Sequence, residues 1–245
     1  MAVQNTIYVL DSTQRNAGGS IQNAVYNMIS AGGLESGTYE MLSYQSQNVS
    51  YNVETGVNDA IYFDEGAAEL GPVLLAPGYY DTTTLGAEIK LRMDVVSGSA
   101  YTVTYSAVTG KFTVAIGAGT FAFNWATVAA NKANQLMGFG LVDGVLAATQ
   151  VSTSVVDLTL HKSLIVDIAE DSQQNVTLLD GSEHSVLIPL NQAYAAEIDS
   201  LRNETYAQTF KFGSTLNNIN VQLFTDNGSI PVNNAEYVMV IRKIF

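Results

Sequence analysis

Two histidines, His161 and His184, are the whole stock of imidazole in this 245-residue chain, and cysteine is absent. A thiol nucleophile, a disulfide and a thiolate metal site are therefore excluded. His184 has Glu183 and Ser185 beside it, the residue types of an acid–base–hydroxyl relay. Adjacent residues on extended backbone point to opposite sides, so the three do not converge locally. Neither histidine has the H-x-H or H-E-x-x-H spacing that zinc sites use. Both read as ordinary surface or boundary residues.

Paired carboxylates occur at Asp64-Glu65 and Glu170-Asp171, in stretches that read as loops. Glycoside hydrolysis needs two carboxyl groups about 5–10 Å apart in a cleft, and nothing in the spacing selects such a pair. Asp226-Asn227-Gly228 lacks the further oxygen ligands of a calcium loop and reads as a turn. Gly32-Gly33 and Gly117-Ala118-Gly119 do not match a phosphate-binding loop. The sequons at Asn48, Asn175, Asn203 and Asn227 need a secretory route to matter. Tyr79-Tyr80, Tyr101, Tyr105, Phe121, Phe123 and Trp125 form an aromatic-rich stretch. A mixed core accounts for it, and the sharper alternative is a sticky face for a partner. The residues thus assign no catalytic, cofactor-binding or metal-binding group. The expectation is a protein that is not an enzyme.

The net charge is −13, from 23 acidic and 10 basic residues. Phosphate recognition needs clustered cations, and Arg242-Lys243 is the nearest approach to a basic run, so no direct nucleic-acid contact is expected. Adhesion to an anionic membrane is disfavoured for the same reason. Met1 to Asn5 carries no charged and apolar leader pattern, and no apolar run approaches the roughly 20 residues that span a bilayer. The expectation is a soluble chain made in the cytoplasm, without a transmembrane segment and not secreted by the general route.

The elements are organised around Pro77 to Phe139. After Ala76-Pro77-Gly78, Asp81 or Thr82 offers a cap to a helix with Leu85, Ile89 and Met93 on one face. Beyond Ser97-Gly98-Ser99 the period changes to two. Tyr101, Val103 and Tyr105, a Thr109-Gly110 turn, then Phe112, Val114 and Ile116 predict a hairpin. Phe121 to Trp125 is a third strand, and Asn134 to Phe139 a helical turn stopped by Gly138. Further strands are predicted at Thr6–Leu10, Tyr39–Tyr44 continued by Asn48–Val53, Asn58–Phe63, Val155–Leu160, Leu164–Ile168, Val186–Leu190, Thr209–Phe212, Ile219–Phe224 and Tyr237–Ile244, and the run Val73-Leu74-Leu75 leads into the Pro77 stretch. Tyr26–Ile29 reads as a strand or a helix end, Glu170–Gln174 as a polar loop, and Ala193–Arg202 as a weak helical turn. Short strands at this spacing indicate a β-sandwich. The expected division is 1–75 and 151–245 for the sandwich, 76–140 for an inserted α+β (helix plus hairpin) domain, and 141–150 for a linker.

Four groups of residues together resemble the penton and minor capsid protein family of icosahedral DNA viruses with double jelly-roll major capsid proteins. Virophages, polinton-like viruses and giant-virus relatives are the nearest group. The first is Tyr8-Val9-Leu10-Asp11-Ser12 with Arg15 and Gly18. The second is Val49-Ser50-Tyr51-Asn52-Val53 with Asn58 and Ile61-Tyr62-Phe63. The third is Pro77-Gly78-Tyr79-Tyr80, the helix, the hairpin and Met137-Gly138-Phe139. Ile219 to Gly228 with Tyr237 to Ile241 is the fourth. The family has Leu where Met137 stands, a mild departure. The resemblance implies a mainly β, antiparallel jelly-roll sandwich with an inserted α+β domain. It further implies a vertex (penton) structural protein of the virion, assembled as a homopentamer in the host cytoplasm or a viral factory. Its partners would be itself and the major and minor capsid proteins, with a host receptor or spike as a further candidate. The rival reading is a receptor- or carbohydrate-binding spike or minor virion β-protein, served by exposed aromatics of the inserted stretch.

Overall fold

The structure is a computed structural model that describes residues 6–17, 20–21, 23–28, 32–66, 69–127, 131–170, 185–190, 197–201, 209–212, 215–225 and 235–244. In chain order the strands are β1 (Ile7–Asp11), β2 (Asn23–Asn27), β3 (Gly37–Gln47), β4 (Ala60–Asp64) and β5 (Glu69–Leu74). Helix α1 (Thr82–Ser97) follows, then β6 (Tyr101–Ser106), β7 (Lys111–Ile116), β8 (Ala122–Phe123) and β9 (Thr149–Val151). The chain closes with β10 (Ser163–Glu170), β11 (Ser185–Pro189), β12 (Glu197–Leu201), β13 (Thr209–Phe212), β14 (Asn218–Thr225) and β15 (Val238–Ile244). Two compact units result: Met1–Ser50 with His161–Phe245, and Tyr51–Leu160.

In the first unit, sequence alternation becomes two antiparallel sheets. One is ordered β1-β15-β3-β12, with β13 also on β3, and the other β11-β10-β14-β2. On β14 the alternation predicted from Ile219, Val221 and Leu223 holds, and all three are buried. They share one apolar cluster with Leu10, Tyr44, Val166, Met239 and Ile241 from both sheets. Strands near the N-terminus pair with strands near the C-terminus, β1 with β15 and β2 with β14. That crossing of distant partners is consistent with a jelly-roll sandwich.

The second unit builds its own core. Asp81 caps α1 by accepting from the Thr83 and Thr84 N–H groups, and the Thr84 hydroxyl accepts from the Asp81 N–H in return. Leu85, Ile89 and Met93 are buried, as their spacing requires, and Gly98 closes the helix in the left-handed region at φ 74°. The expected hairpin β6-β7 forms, with Tyr101 opposite Ile116 and Ser106 opposite Lys111, and β9 is added on the far side of β7. A second sheet is ordered β5-β4-β8. Their inward residues, Phe63, Tyr101, Phe112, Phe121, Phe123 and Trp125 among them, make a single cluster with the helix.

Several expectations differ from this arrangement. The breaks at 75/76 and 140/141 fall inside the second unit, because β4 and β5 and the segment up to Leu160 pack with the helix and hairpin. Residues 141–150 are not a linker: Gly144 N–H donates to Phe123 O at 2.7 Å, Ala147 bridges Phe121, and Thr149 opens β9. Asn48–Val53 does not extend β3, since Asn48 Oδ1 accepts from Ser50 N–H at 3.2 Å and turns the chain. Val155–Leu160 forms no strand, and Asp157 Oδ1 accepts from Thr159 N–H at 2.9 Å in a similar turn. Within Ala193–Arg202 the structure has β12 in place of a helical turn, paired with β3. The turn at 226–228 and the polar loop after Glu170 lie outside the described residues.

Candidate interaction surfaces

His161 is buried in the first unit, while His184 lies outside the described residues. Asp64 Oδ1 accepts from Gly66 N–H at 2.9 Å. Its neighbour Glu65 accepts from the buried Tyr101 hydroxyl at 2.7 Å and from Ser99 Oγ at 3.3 Å. Burial and this nearby carboxylate both push the Tyr101 phenol well up from its usual range. Asp171 lies outside the described residues, as does the side chain of Glu170. Among the described residues, no group of three or more His, Asp or Glu is arranged to hold a metal ion.

The aromatic stretch divides in two. Tyr101, Phe121, Phe123 and Trp125 are core residues, each at most 1% exposed. Trp125 stacks on Phe123 with centroids 5.1 Å apart and leans on Phe139 at 6.1 Å. It therefore has no face to offer a sugar. Tyr79 and Tyr105 remain exposed.

The motif Asp11-Ser12-Thr13 with Arg15 locks the end of β1 to the start of β15. Asp11 caps a short 3-10 turn, and its bonds from the Thr13 hydroxyl and N–H lower its carboxyl pKa. Ser12 is fully buried; its Oγ accepts from Tyr237 N–H at 2.8 Å and donates to Glu236. Arg15 reaches the same Glu236 carboxylate at 3.3 Å. An open depression of 410 Å³ lies over this junction, with Asp11, Gln45, Gln47 and Glu236 in its walls. Among the described residues its lining holds the hydroxyls of Thr13, Ser46 and Tyr237 and no histidine or lysine to act as base.

Below it, Tyr26 donates to Tyr237 at 3.0 Å and Tyr237 stacks on Tyr44 at 5.7 Å. Burial pushes Tyr26 up to about 12 and raises Tyr44 and Tyr237 as well. This tyrosine cluster was not legible from spacing, because Tyr26 and Tyr237 are 211 residues apart.

Exposed aliphatics are the other notable surface. On the first unit, edge strand β1 shows Ile7 and Val9, 55% and 61% exposed. On the second, exposed aliphatics occur on α1, at the hairpin tip (Val108) and in the loop from Leu141 to Leu146. Single exposed apolar residues are normal, but runs of them mark contact surfaces.

No family model matches the chain, and no curated protein matches it. Among solved structures it is similar to the mavirus penton protein, seen in a crystal structure of the selenomethionine-labelled protein. The TM-score is 0.52 at 7% sequence identity, and 98% of each chain is covered. At that identity the likeness shows fold alone, and it extends from one end of both chains to the other. The chain has a penton-like fold.

Proposed function

We propose that this protein is a structural component of a virion, the vertex subunit of an icosahedral capsid. In this reading it forms a homopentamer, contacts the major capsid protein, and performs no catalysis. The observation that carries it is the likeness to a penton protein, which covers 98% of each chain and so spans both compact units. The architecture proposed is a jelly roll with an α+β unit, Tyr51–Leu160, inserted between β3 and β10.

Supporting the reading, Arg15 pairs with Glu236 and Lys243 with Glu35 within the chain. Contact faces are depleted in free charge, because a desolvated charge without a partner is costly. Proteins of this kind work by geometry. A contact between two different faces of identical chains closes into a ring when its rotation divides the circle.

Sedimentation of the purified full chain, followed by imaging of particles assembled with the major capsid protein, tests the proposal. The expected result is a five-membered ring that occupies vertices. A chain that stays monomeric at every concentration and is missing from assembled shells overturns it.

A further inference from the structure

Strand β1 is an open edge of the first unit. It ends its sheet in the order β1-β15-β3-β12, and among the described residues only β15 pairs with it. The register shows which of its backbone groups stay free. Ile7 lies opposite Arg242 and Asp11 opposite Val238 in an antiparallel pair. At its two ends Lys243 N–H donates to Thr6 O at 3.1 Å, and Ser12 N–H donates to Tyr237 O at 2.9 Å. Opposed residues of an antiparallel pair alternate between those that exchange hydrogen bonds and those that do not. Thr6, Tyr8, Leu10 and Ser12 therefore bond toward β15, and Ile7 and Val9 turn their N–H and C=O groups to the open side. Tyr8 and Leu10 pack on the apolar core, which leaves the side chains of Ile7 and Val9 on the outer face.

Sheets blunt such edges with charge, proline, a bulge or a covering segment. The other sheet of this unit, β11-β10-β14-β2, does so at both ends. On β2 the Val25 carbonyl accepts from Asn16 N–H at 2.8 Å, and on β11 Pro189 has no N–H to offer. The run Ile7-Tyr8-Val9-Leu10 has neither charge nor proline, and its register with β15 passes without a bulge.

The free groups select the occupant. Donors and acceptors repeating every second residue along an extended edge are matched by another extended backbone, which adds a strand to the sheet. A sugar or a lipid has no such repeat. Charge narrows the choice. A second copy would bring another −13 to the contact, which repels. The cations Arg15, Arg242 and Lys243 are paired with Glu236, Glu40 and Glu35. The strand itself ends on Asp11, whose carboxylate takes bonds from the Thr13 N–H and hydroxyl. The complementary segment is basic, with β-branched or aromatic residues set beside Ile7 and Val9.

We infer that β1 takes an added strand: a short, extended, basic segment of a different polypeptide, paired through the backbone of Ile7 and Val9. The inference does not depend on the ring reading above.

The test adds to the full chain a short synthetic peptide of alternating valine and threonine with lysine at each end. A second peptide carries glutamate in place of lysine. Amide hydrogen exchange read by NMR is expected to slow at least tenfold at Ile7 and Val9 with the basic peptide. Tyr8 and Leu10, already bonded toward β15, should not change. The acidic peptide should bind at least tenfold more weakly. Val9→Pro removes an outward N–H and no bond to β15, a place where an edge strand tolerates proline, and it should abolish binding with the circular dichroism retained. Val9→Lys keeps the backbone and sets a cation against the basic peptide, so it should weaken binding at least tenfold and serves if the proline variant does not fold. No protection at Ile7 and Val9, equal binding of the two peptides, or full binding to Val9→Lys overturns the inference. A full chain that self-associates without peptide and protects the same two amides also overturns it, since the occupant is then a second copy.

Discussion

The side-chain amide of Asn52 pairs with both backbone groups of Tyr80, donating from Nδ2 to the carbonyl at 2.7 Å and accepting from the N–H at Oδ1 at 2.9 Å. The carboxamide stands in for a strand residue and completes a ladder that the neighbouring bridge, Val53 with Gly78, begins. Asn58 repeats the device, with Nδ2 donating to Asn52 O at 2.8 Å and Oδ1 accepting from Glu54 N–H at 2.9 Å. Two asparagines thus fix the 52–58 loop against the turn that leads into α1.

Only a carboxamide offers a donor and an acceptor side by side in that geometry. Asn52→Asp keeps the shape but turns the donor into a second acceptor facing the Tyr80 carbonyl, at a site 3% exposed. Asn52→Leu leaves both Tyr80 groups without their partners. Each change should lower stability by about 2–3 kcal/mol. Thermal melts of the full chain check this, and a loss below about 0.5 kcal/mol for both would show that the pairing contributes nothing to stability.

Ser12→Ala makes a related prediction in the first unit. The hydroxyl is 0% exposed, accepts from Tyr237 N–H and donates to Glu236. Without it, a buried N–H loses its acceptor and the Glu236–Arg15 contact loses its anchor. The expected cost is about 1–3 kcal/mol. Hydrogen exchange at Tyr237 should accelerate in step, and an unchanged rate would place the lock elsewhere.

Trp125→Ala distinguishes a core residue from a ligand platform. Removing a side chain stacked on Phe123 and Phe139 should cost about 3–5 kcal/mol through the cavity it leaves. Trp125 is the one tryptophan of the chain, so its fluorescence reports the second unit directly. Strong quenching by a small polar quencher in the native protein would contradict the burial.

The helix and hairpin of the second unit were legible because their information is local. Asp81 is followed by apolar residues four apart, and Gly110 sits between two alternating runs, so the signal lies within a few residues of the structure it makes. The partner of Ser12 was not legible, since Glu236 is 224 positions away and nothing near Ser12 names it. The strand Glu197–Leu201 was missed for the same reason: it is extended by pairing with β3, and its own alternation is weak. The unit boundary failed differently. Residues 141–160 carry Gly, Ser, Thr and Asp like a linker, yet their backbone bonds go to Phe121, Phe123 and Phe112, which composition does not record. The aromatic core was visible as a stretch of residue types, but which rings face inward depends on packing.

Buried tyrosines set the alkaline limit of the first unit. Tyr26, Tyr44 and Tyr237 all have phenols raised above the ordinary value of 10.0 by burial, Tyr26 to about 12. A raised folded-state pKa means that the unfolded chain releases the proton first as pH climbs. Their contribution is therefore fully present below pH about 10 and declines as pH rises from there toward the folded values. Melting temperature should be level with respect to these groups up to that point and fall beyond it. Phenolate absorbance from the cluster should appear together with loss of the folded circular dichroism signal. Tyr26→Phe, which removes one titrating hydroxyl from the site, should move the alkaline transition upward relative to its own neutral-pH stability. If all the tyrosines instead ionise reversibly near their ordinary pKa with the fold intact, the Tyr26–Tyr237 bond is not what keeps that end of the sandwich closed.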